Sequence, residues 1–348
     1  MNRCLVFFGF FVLLLTSPST FAYPEFIGYG YSSCLTCHFN GHGNGPLNDY
    51  GRALWSSEIA SQAVFPAKWS QDEIASTSGI IGSKELPWWI RPAIKSRHLY
   101  NQNNPGSPSS VSRTYPMQLD LNSVFIFDHD SNYILSMTFG QIPQTEATRR
   151  GETTTTILRE FFFRAQPFES WWFYVGLLDK VYGIRNLDHT SNQRLAMGLN
   201  QYSQSHGIVV HKISDKWELS ANAFFGNTQI KNTIQLNQEQ KGFSFMGEFE
   251  PAEKMRLGGS YLSSSSAVGD TKTAFSAHYR QGLLKGSSIL AEFGFIKNKP
   301  AATAETNGNY AFIQTTLPFA RGYSVRTAIE KYIQDTETLT PEQWRYTL

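Results

Sequence analysis

From residue 86 onward the chain never settles into a helical repeat. Apolar and polar residues alternate in short segments instead, and a period of two marks a strand with two unlike faces. "MQLDLNSVFIF" (117–127) sets Leu119, Leu121, Phe125 and Phe127 against Gln118, Asp120 and Asn122. "WELSANAFFG" (217–226) sets Trp217, Leu219, Ala221 and Phe225 against Glu218, Ser220 and Asn222. In "KGFSFMGEFE" Phe243, Phe245 and Phe249 oppose Ser244, Glu248 and Glu250, and in "SSILAEFGFI" Ile289, Phe293 and Phe295 oppose Ser288 and Glu292. About fourteen such strands are predicted, starting at Trp88, Met117, Tyr133, Ile157, Trp171, His206, Trp217, Lys241, Met255, Lys272, Ser287, Asn309, Tyr323 and Gln343.

The connections sharpen this pattern. Tight turns ("DHDSN", "SDK", "PAEK", "PFARG") alternate with longer polar loops at 101–116, 142–156, 180–205 and 333–342. Alternating short and long connections are what a closed up-and-down barrel in an outer membrane produces, with short periplasmic turns and longer external loops. Aromatic residues at many strand ends would supply the interfacial girdles. A soluble sandwich also alternates, but its apolar faces point inward and its loops lack the two lengths. The expectation is therefore an all-β chain, a transmembrane antiparallel β-barrel of about 14–16 strands. The closing "QWRYTL" reads as a strand of about six residues, shorter than the nine to eleven that span a bilayer. It leaves open whether the barrel is truncated at its C-terminus.

With 17% charged residues, 14% aromatic residues and a formal net charge of +2, nothing suggests a basic arm or a nucleic-acid partner. Residues 1–22 have the form of a cleavable export signal, with Arg3, an apolar run from Leu5 to Leu15 and a "TSPSTFA" tail ending at Ala22. Export and a barrel together imply the outer membrane of a Gram-negative-type bacterium, with its lipid as surroundings.

Between signal and barrel, 23–86 form a separate unit. "YPEFIGYGYSSCLTCHFNGHGNGP" (23–46) reads as loop, "LNDYGRALWSSEIASQ" (47–62) as a helix behind Pro46, and "SQDE" (70–73) as a capping box for a second short helix. A unit this small buries little core without a staple. The domain division is thus 1–22 signal, 23–86 small domain or plug, and 87–348 barrel.

The staple is in "SCLTCH". Once the signal and Cys4 are removed, Cys34 and Cys37 are the only cysteines, so zinc lacks ligands. A thioredoxin-like site would need an α/β context. A structural disulfide suits an oxidising compartment but gives no reason for His38. Cys34-x-x-Cys37-His38 has the form of a c-type haem attachment site: two thiols for the two vinyl groups and an adjacent imidazole for the iron. His38 is accordingly the expected metal ligand and haem c, one per chain, the expected cofactor. The second axial position stays open among His42, His98, His129, His189, His206, His211, His278 and the methionines Met117, Met137, Met197, Met246 and Met255. His42, in "NGHGNG", lies only four residues from His38, and His278 shares the polar face of "KTAFSAHYR" with Ser276 and Arg280.

A single CxxCH close behind the signal, followed by "GNGPLNDYGRAL" and then a barrel, resembles the outer-membrane fusions of a monohaem cytochrome c with a porin, among them the ferrous iron oxidases of iron-oxidising bacteria. The resemblance implies haem c on Cys34 and Cys37 with His38 as proximal ligand. It places a small helical and loop haem domain within or just below the barrel. It also implies electron transfer between an extracellular donor or acceptor, such as Fe(II), and a periplasmic electron-carrier cytochrome, and leaves open whether the chain counts as an enzyme. Glu218, Glu248, Glu250 and Glu292, opposed by Arg91, Lys95, Arg280 and Arg326, are candidates for attracting cations in the lumen. The alternative is a passive outer-membrane porin or uptake channel closed by a disulfide-bonded N-terminal plug.

Overall fold

The computed structural model describes residues 24–43, 45–54, 66, 68–70, 73, 86–103, 111–141, 156–185, 191–199, 203–227, 240–320, 323–335 and 342–347. Fourteen strands form one antiparallel sheet in chain order, each paired with the next and without a crossover. They are β1 (Ile90–Asn103), β2 (Val111–Ile126), β3 (Tyr133–Gln141), β4 (Thr156–Phe168), β5 (Trp171–Leu178), β6 (Ser205–Ile213) and β7 (Trp217–Phe225). The second half comprises β8 (Lys241–Ala252), β9 (Met255–Ser265), β10 (Thr271–Gly282), β11 (Ser288–Lys299), β12 (Thr306–Ala320), β13 (Tyr323–Asp335) and β14 (Glu342–Thr347). Among the described residues two short helices, α1 (Asp49–Leu54) and α2 (Asn192–Met197), interrupt the β structure. The chain is thus an all-β antiparallel meander, and among the described residues no ladder joins β14 back to β1.

The two faces of the sheet are inverted relative to a soluble protein. On β7, Glu218, Ser220 and Asn222 are buried, whereas Trp217 and Phe225 are 51% and 55% exposed. On β2, Gln118, Asp120 and Asn122 are buried while Leu121 and Phe127 face out, and on β11 Glu292 is buried next to exposed Phe293. A sheet that hides carboxylates and displays phenylalanines has its polar face turned to a lumen and its apolar face to something other than water.

Sheet curvature is visible in what the lumen holds. Residues 24–54 run inside: Asp49 of α1 pairs with Arg91 on β1, the Phe39 carbonyl accepts from Arg164 on β4, the Ser32 hydroxyl accepts from Arg256 on β9, and Glu25 pairs with Arg326 on β13. A single segment reaches both ends of the meander only if the sheet wraps around it. At the β10–β11 turn, a Cβ on Gly28 would overlap the Gly286 backbone, so this segment sits at the end carrying the tight turns.

From the other end, the β5–β6 connection folds inward. The backbone N–H of Gly183 donates to Ser260 on β9 (2.9 Å) and that of Ile184 to Glu292 on β11 (2.7 Å). The N–H of Asn192, at the start of α2, donates to Glu330 on β13 (2.6 Å). Apolar clusters complete the filling. Phe39 and Val181 pack with Phe162, Tyr174 and Val209, while Tyr182 and Met197 pack with Phe224, Leu262 and Tyr310.

Strand order and faces follow the sequence expectation, with differences at the edges. The expected loop at 101–116 is mostly strand, because Asn101 and Gln102 stay in register with Arg113 and Ser112. Ladder hydrogen bonds do not depend on side-chain polarity, so strands of 14 and 16 residues continue past the nine to eleven needed to span. β13 likewise runs to Asp335, inside the loop expected from 333. The helix expected over 47–62 is described only as Asp49–Leu54, and the export signal and 55–65 lie outside the described residues. The "SQDE" capping box is present: Ser70 N–H donates to Glu73 Oε2 (2.7 Å) and Glu73 N–H to Ser70 Oγ (3.2 Å).

Candidate functional site

Cys34–Thr36 form one 3-10 turn, and the Cys34 carbonyl accepts from both Cys37 N–H (3.2 Å) and His38 N–H (2.9 Å). The spacing i, i+3, i+4 thereby closes a turn in which the backbone N–H groups of Cys37 and His38 share one acceptor. The turn is clamped from downstream. Asn48 donates through its backbone N–H to the Cys37 carbonyl (2.9 Å) and through Nδ2 to the carbonyls of Leu35 (3.2 Å) and Thr36 (3.1 Å). Its side-chain oxygen accepts from Gly51 N–H (2.8 Å), which caps α1. Gly51 is buried against the motif, and a Cβ there would overlap the Cys37 carbonyl oxygen. Sequence reasoning passed over Asn48 and Gly51; the signal available was the Pro-Leu-Asn-x-x-Gly pattern, an N-cap three residues before a glycine.

The motif side chains do not all face one way. Cys34 lines a small cavity of about 60 Å³, partly open to solvent, between the N-terminal segment and the inward β5–β6 connection. This is well below the roughly 300–1,000 Å³ of small-molecule and cofactor sites. Cys37 and His38 are buried behind that lining, and the main chain of His38 forms a β-bridge with Leu47. Both cysteines are free thiols. Burial raises the Cys34 thiol to about 12, with Glu218 adding to the effect, and raises Cys37 to about 11. Both are therefore neutral thiols at neutral pH.

His42 lines the same cavity as Cys34. Its ring lies 5.1 Å from that of His211 on β6 and 5.9 Å from that of Tyr174 on β5. Burial, reinforced by His211 and Arg185, lowers its pKa well below the usual histidine value and keeps the imidazole neutral. Around the cavity the charged groups are engaged with one another. Glu218 accepts from His211 Nε2 (3.0 Å) and Ser33 Oγ (3.4 Å), Glu248 from His278 Nε2 (3.0 Å) and Arg280, and Asp179 pairs with Arg185.

These contacts correct the reading of the lumen carboxylates as cation attractors. Glu218 and Glu248 are tied to wall histidines, Glu250 to Arg256 (2.9 Å), and Glu292 to Ile184 N–H, Gln193 and Tyr310. Of the opposing cations, Arg91, Arg280 and Arg326 are bound to Asp49, Glu248 and Glu25. The lumen charges brace the plug against the wall. His278, a candidate for the second axial position, is among those braces.

No family model matches the chain, and no curated protein matches it. Solved structures with a similar fold include an outer membrane protein of Vibrio cholerae, OmpT with loop L8 deleted (10% identity over 71% of this chain and 94% of that one, TM-score 0.40). An anion-selective porin from Comamonas acidovorans is 7% identical over 74% of this chain and 82% of its own, with a TM-score of 0.44. OmpF of Salmonella typhi is 9% identical over 70% and 77%, with a TM-score of 0.45. These are likenesses of fold alone.

Proposed function

We propose that the protein is an outer-membrane electron-transfer protein in which Cys34 and Cys37 hold a single haem c and His38 is its proximal ligand. It would exchange electrons between an external donor or acceptor, Fe(II) among the candidates, and a periplasmic cytochrome. The observation that carries this reading is the placement of the CxxCH turn inside a polar-lined lumen whose outer wall is apolar. Lipid suits the exposed ring of phenylalanine, leucine and tryptophan on the strands, and a polar conduit suits the buried face.

The fit to haem rests on the chain's own atoms. Two neutral thiols and an imidazole stand within one turn and Cys34 opens to the cavity, but that cavity of about 60 Å³ is not lined by Cys37 or His38 and holds a porphyrin only if the plug shifts. Bound there, haem supplies a centre that takes up and returns one electron. Among the surrounding residues, Asn48 holds the turn, and Arg185 pairs with Asp179 in the cavity lining.

The test is a pyridine haemochrome spectrum together with haem staining after denaturing electrophoresis. Covalent haem is expected in the intact chain and is lost in Cys34→Ser; an intact chain that folds without covalent haem ends the proposal. The rival is a passive porin with a disulfide-closed plug, and solute conductance that survives Cys34→Ser would favour it.

A further inference from the structure

We infer that a polar pocket on the inner face of β9, β10 and β11 binds an uncharged, hydroxyl-rich solute of about monosaccharide size. The pocket lies at the end of the sheet opposite the tight β8–β9 and β10–β11 turns, the external end in a barrel of this kind. Strand register builds it. Ser264 on β9, Lys272 on β10 and Asn298 on β11 stand directly opposite one another in one row. Two residues deeper on the same face the row is Leu262, Ala274 and Ile296, all buried in the apolar cluster around Phe224 and Tyr310. Over this floor, with Gln240, Ser266 and Asp270 completing the walls, is a cavity of about 220 Å³. That falls short of the roughly 300–1,000 Å³ of drug-sized sites and so sets the size of the ligand. It shares no lining residue with the cavity at Cys34, and the inference does not depend on haem.

The rim is fixed by the protein's own bonds. Within the β9–β10 connection Ser266 N–H donates to the Asp270 carbonyl (2.8 Å), and Asp270 N–H donates to Ser266 Oγ (3.1 Å). Gly269 closes this turn at a φ of 91°, a conformation that favours glycine. Asp270 Oδ1 accepts from Ala301 N–H (2.8 Å), which ties the connection to the chain leaving β11. The inward β5–β6 connection braces the other walls: Lys272 Nζ donates to the Ala196 carbonyl of α2 (2.8 Å), and Lys180 Nζ donates to Gln240 Oε1 (3.1 Å). Walls held in this way spare a ligand much of the cost of ordering side chains.

The side chains of the lining select the class of ligand. One lysine and one aspartate face the same space, so neither sign of charge is favoured, and Pro300 is the one apolar residue of the lining. What remains are hydroxyls and amides. Serine hydroxyls donate and accept, and the Asn298 and Gln240 amides carry a donor end and an acceptor end, which matches sugar hydroxyls that do both. Ser264, 5% exposed, has an Oγ without a hydrogen-bond partner. Other inner-face hydroxyls, Ser288 among them, are also unpartnered, and of these Ser264 is the one in this lining.

The experiment is saturation-transfer NMR on the full chain folded in detergent. D-glucose, D-galactose and D-mannose are the neutral probes, and acetate and methylammonium the charged ones. A saturable signal from at least one sugar, and from neither ion, is expected. Asn298→Leu removes the amide at the end of the row and lowers sugar affinity by about tenfold, the worth of roughly one hydrogen bond. Ser264→Leu fills the pocket and abolishes the signal, whereas Ser265→Ala, on the exposed face of β9, leaves it unchanged. Circular dichroism checks that each variant folds; if Ser264→Leu does not, Asn298→Leu decides alone. No saturable signal from any of the three sugars, a preference for either ion, or unchanged affinity in a folded Asn298→Leu or Ser264→Leu chain overturns the inference.

Discussion

Asp49 shows how one side chain ties the site to the wall. Its two carboxylate oxygens accept from Arg91 Nε (2.6 Å) and Nη2 (2.7 Å), a bidentate pair that fixes α1 and, through Asn48 and Gly51, the cysteine turn. The Arg91 hydrogen bonds hold the Asp49 pKa below its ordinary value. A depressed carboxylate stabilises the fold above the unfolded pKa, about 3.9, and that contribution fades as pH falls through the folded value. Amide protection factors in 47–54 are therefore expected to be high and constant in this respect from neutrality to about pH 5, then to fall on acidification below about 4. Asp49→Asn should exchange quickly across the whole range; equal protection in both proteins would dismiss the anchor. The side chain is partly exposed, so the effect is local rather than global.

At the scale of the strand, the alternation is the membrane signal. Phe293 and Phe295 stand on the outer face of β11, with Glu292 and Gly294 alternating with them on the inner face. Because the faces differ in solvent, one position changes the sign of a substitution. Phe293→Lys is expected to destabilise the folded chain in lipid vesicles by about 2–4 kcal/mol if the residue sits at the bilayer midplane, and by less toward the interfaces. Urea unfolding of vesicle-inserted protein, followed by tryptophan fluorescence, measures it. A neutral effect at Phe293 would mean that the outer face is not in lipid. The strand pattern was legible because period two is local: Glu218, Ser220, Asn222, Ser244, Glu248 and Glu292 are buried while Trp217, Phe225, Phe243, Phe245 and Phe293 are exposed. The exceptions, Phe162, Phe224 and Phe312, are buried on the inner face, where they meet Tyr174 or Tyr310 or pack beside Ile184. No local repeat marks them, since their partners lie on the plug and on other strands.

Over the whole molecule, two segments from opposite ends meet inside one sheet. The N-terminal segment enters at the tight turns, the β5–β6 connection enters at the other end, and the cavity with Cys34 and His42 is what remains between them. Packing of this kind predicts a lumen that passes little solute. In planar bilayers the intact chain should show conductance well below that of an open channel, and Glu292→Gln with Glu330→Gln should raise it. That double substitution weakens the acceptors that hold Ile184 and Asn192 to β11 and β13. Large, steady conductance from the unaltered chain would instead favour the passive porin.

The sequence by itself determined about how many strands there are, their order, the face of most of the quoted side chains and the close spacing of Cys34, Cys37 and His38. All of these rest on contacts between near neighbours: ladder alternation, the i, i+3, i+4 spacing of Cys34, Cys37 and His38, and a cap at Ser70. Only the tertiary structure decided what fills the lumen and which groups face the cavity. Glu25 meets Arg326 across 301 positions of chain, and Arg280 donates to the Ser32 carbonyl across 248. The inner face is polar wherever it faces water, a plug or a cofactor, so periodicity marks it without naming its partner. Partners are chosen by sheet curvature and by the depth to which each segment enters, which no short stretch of residues encodes.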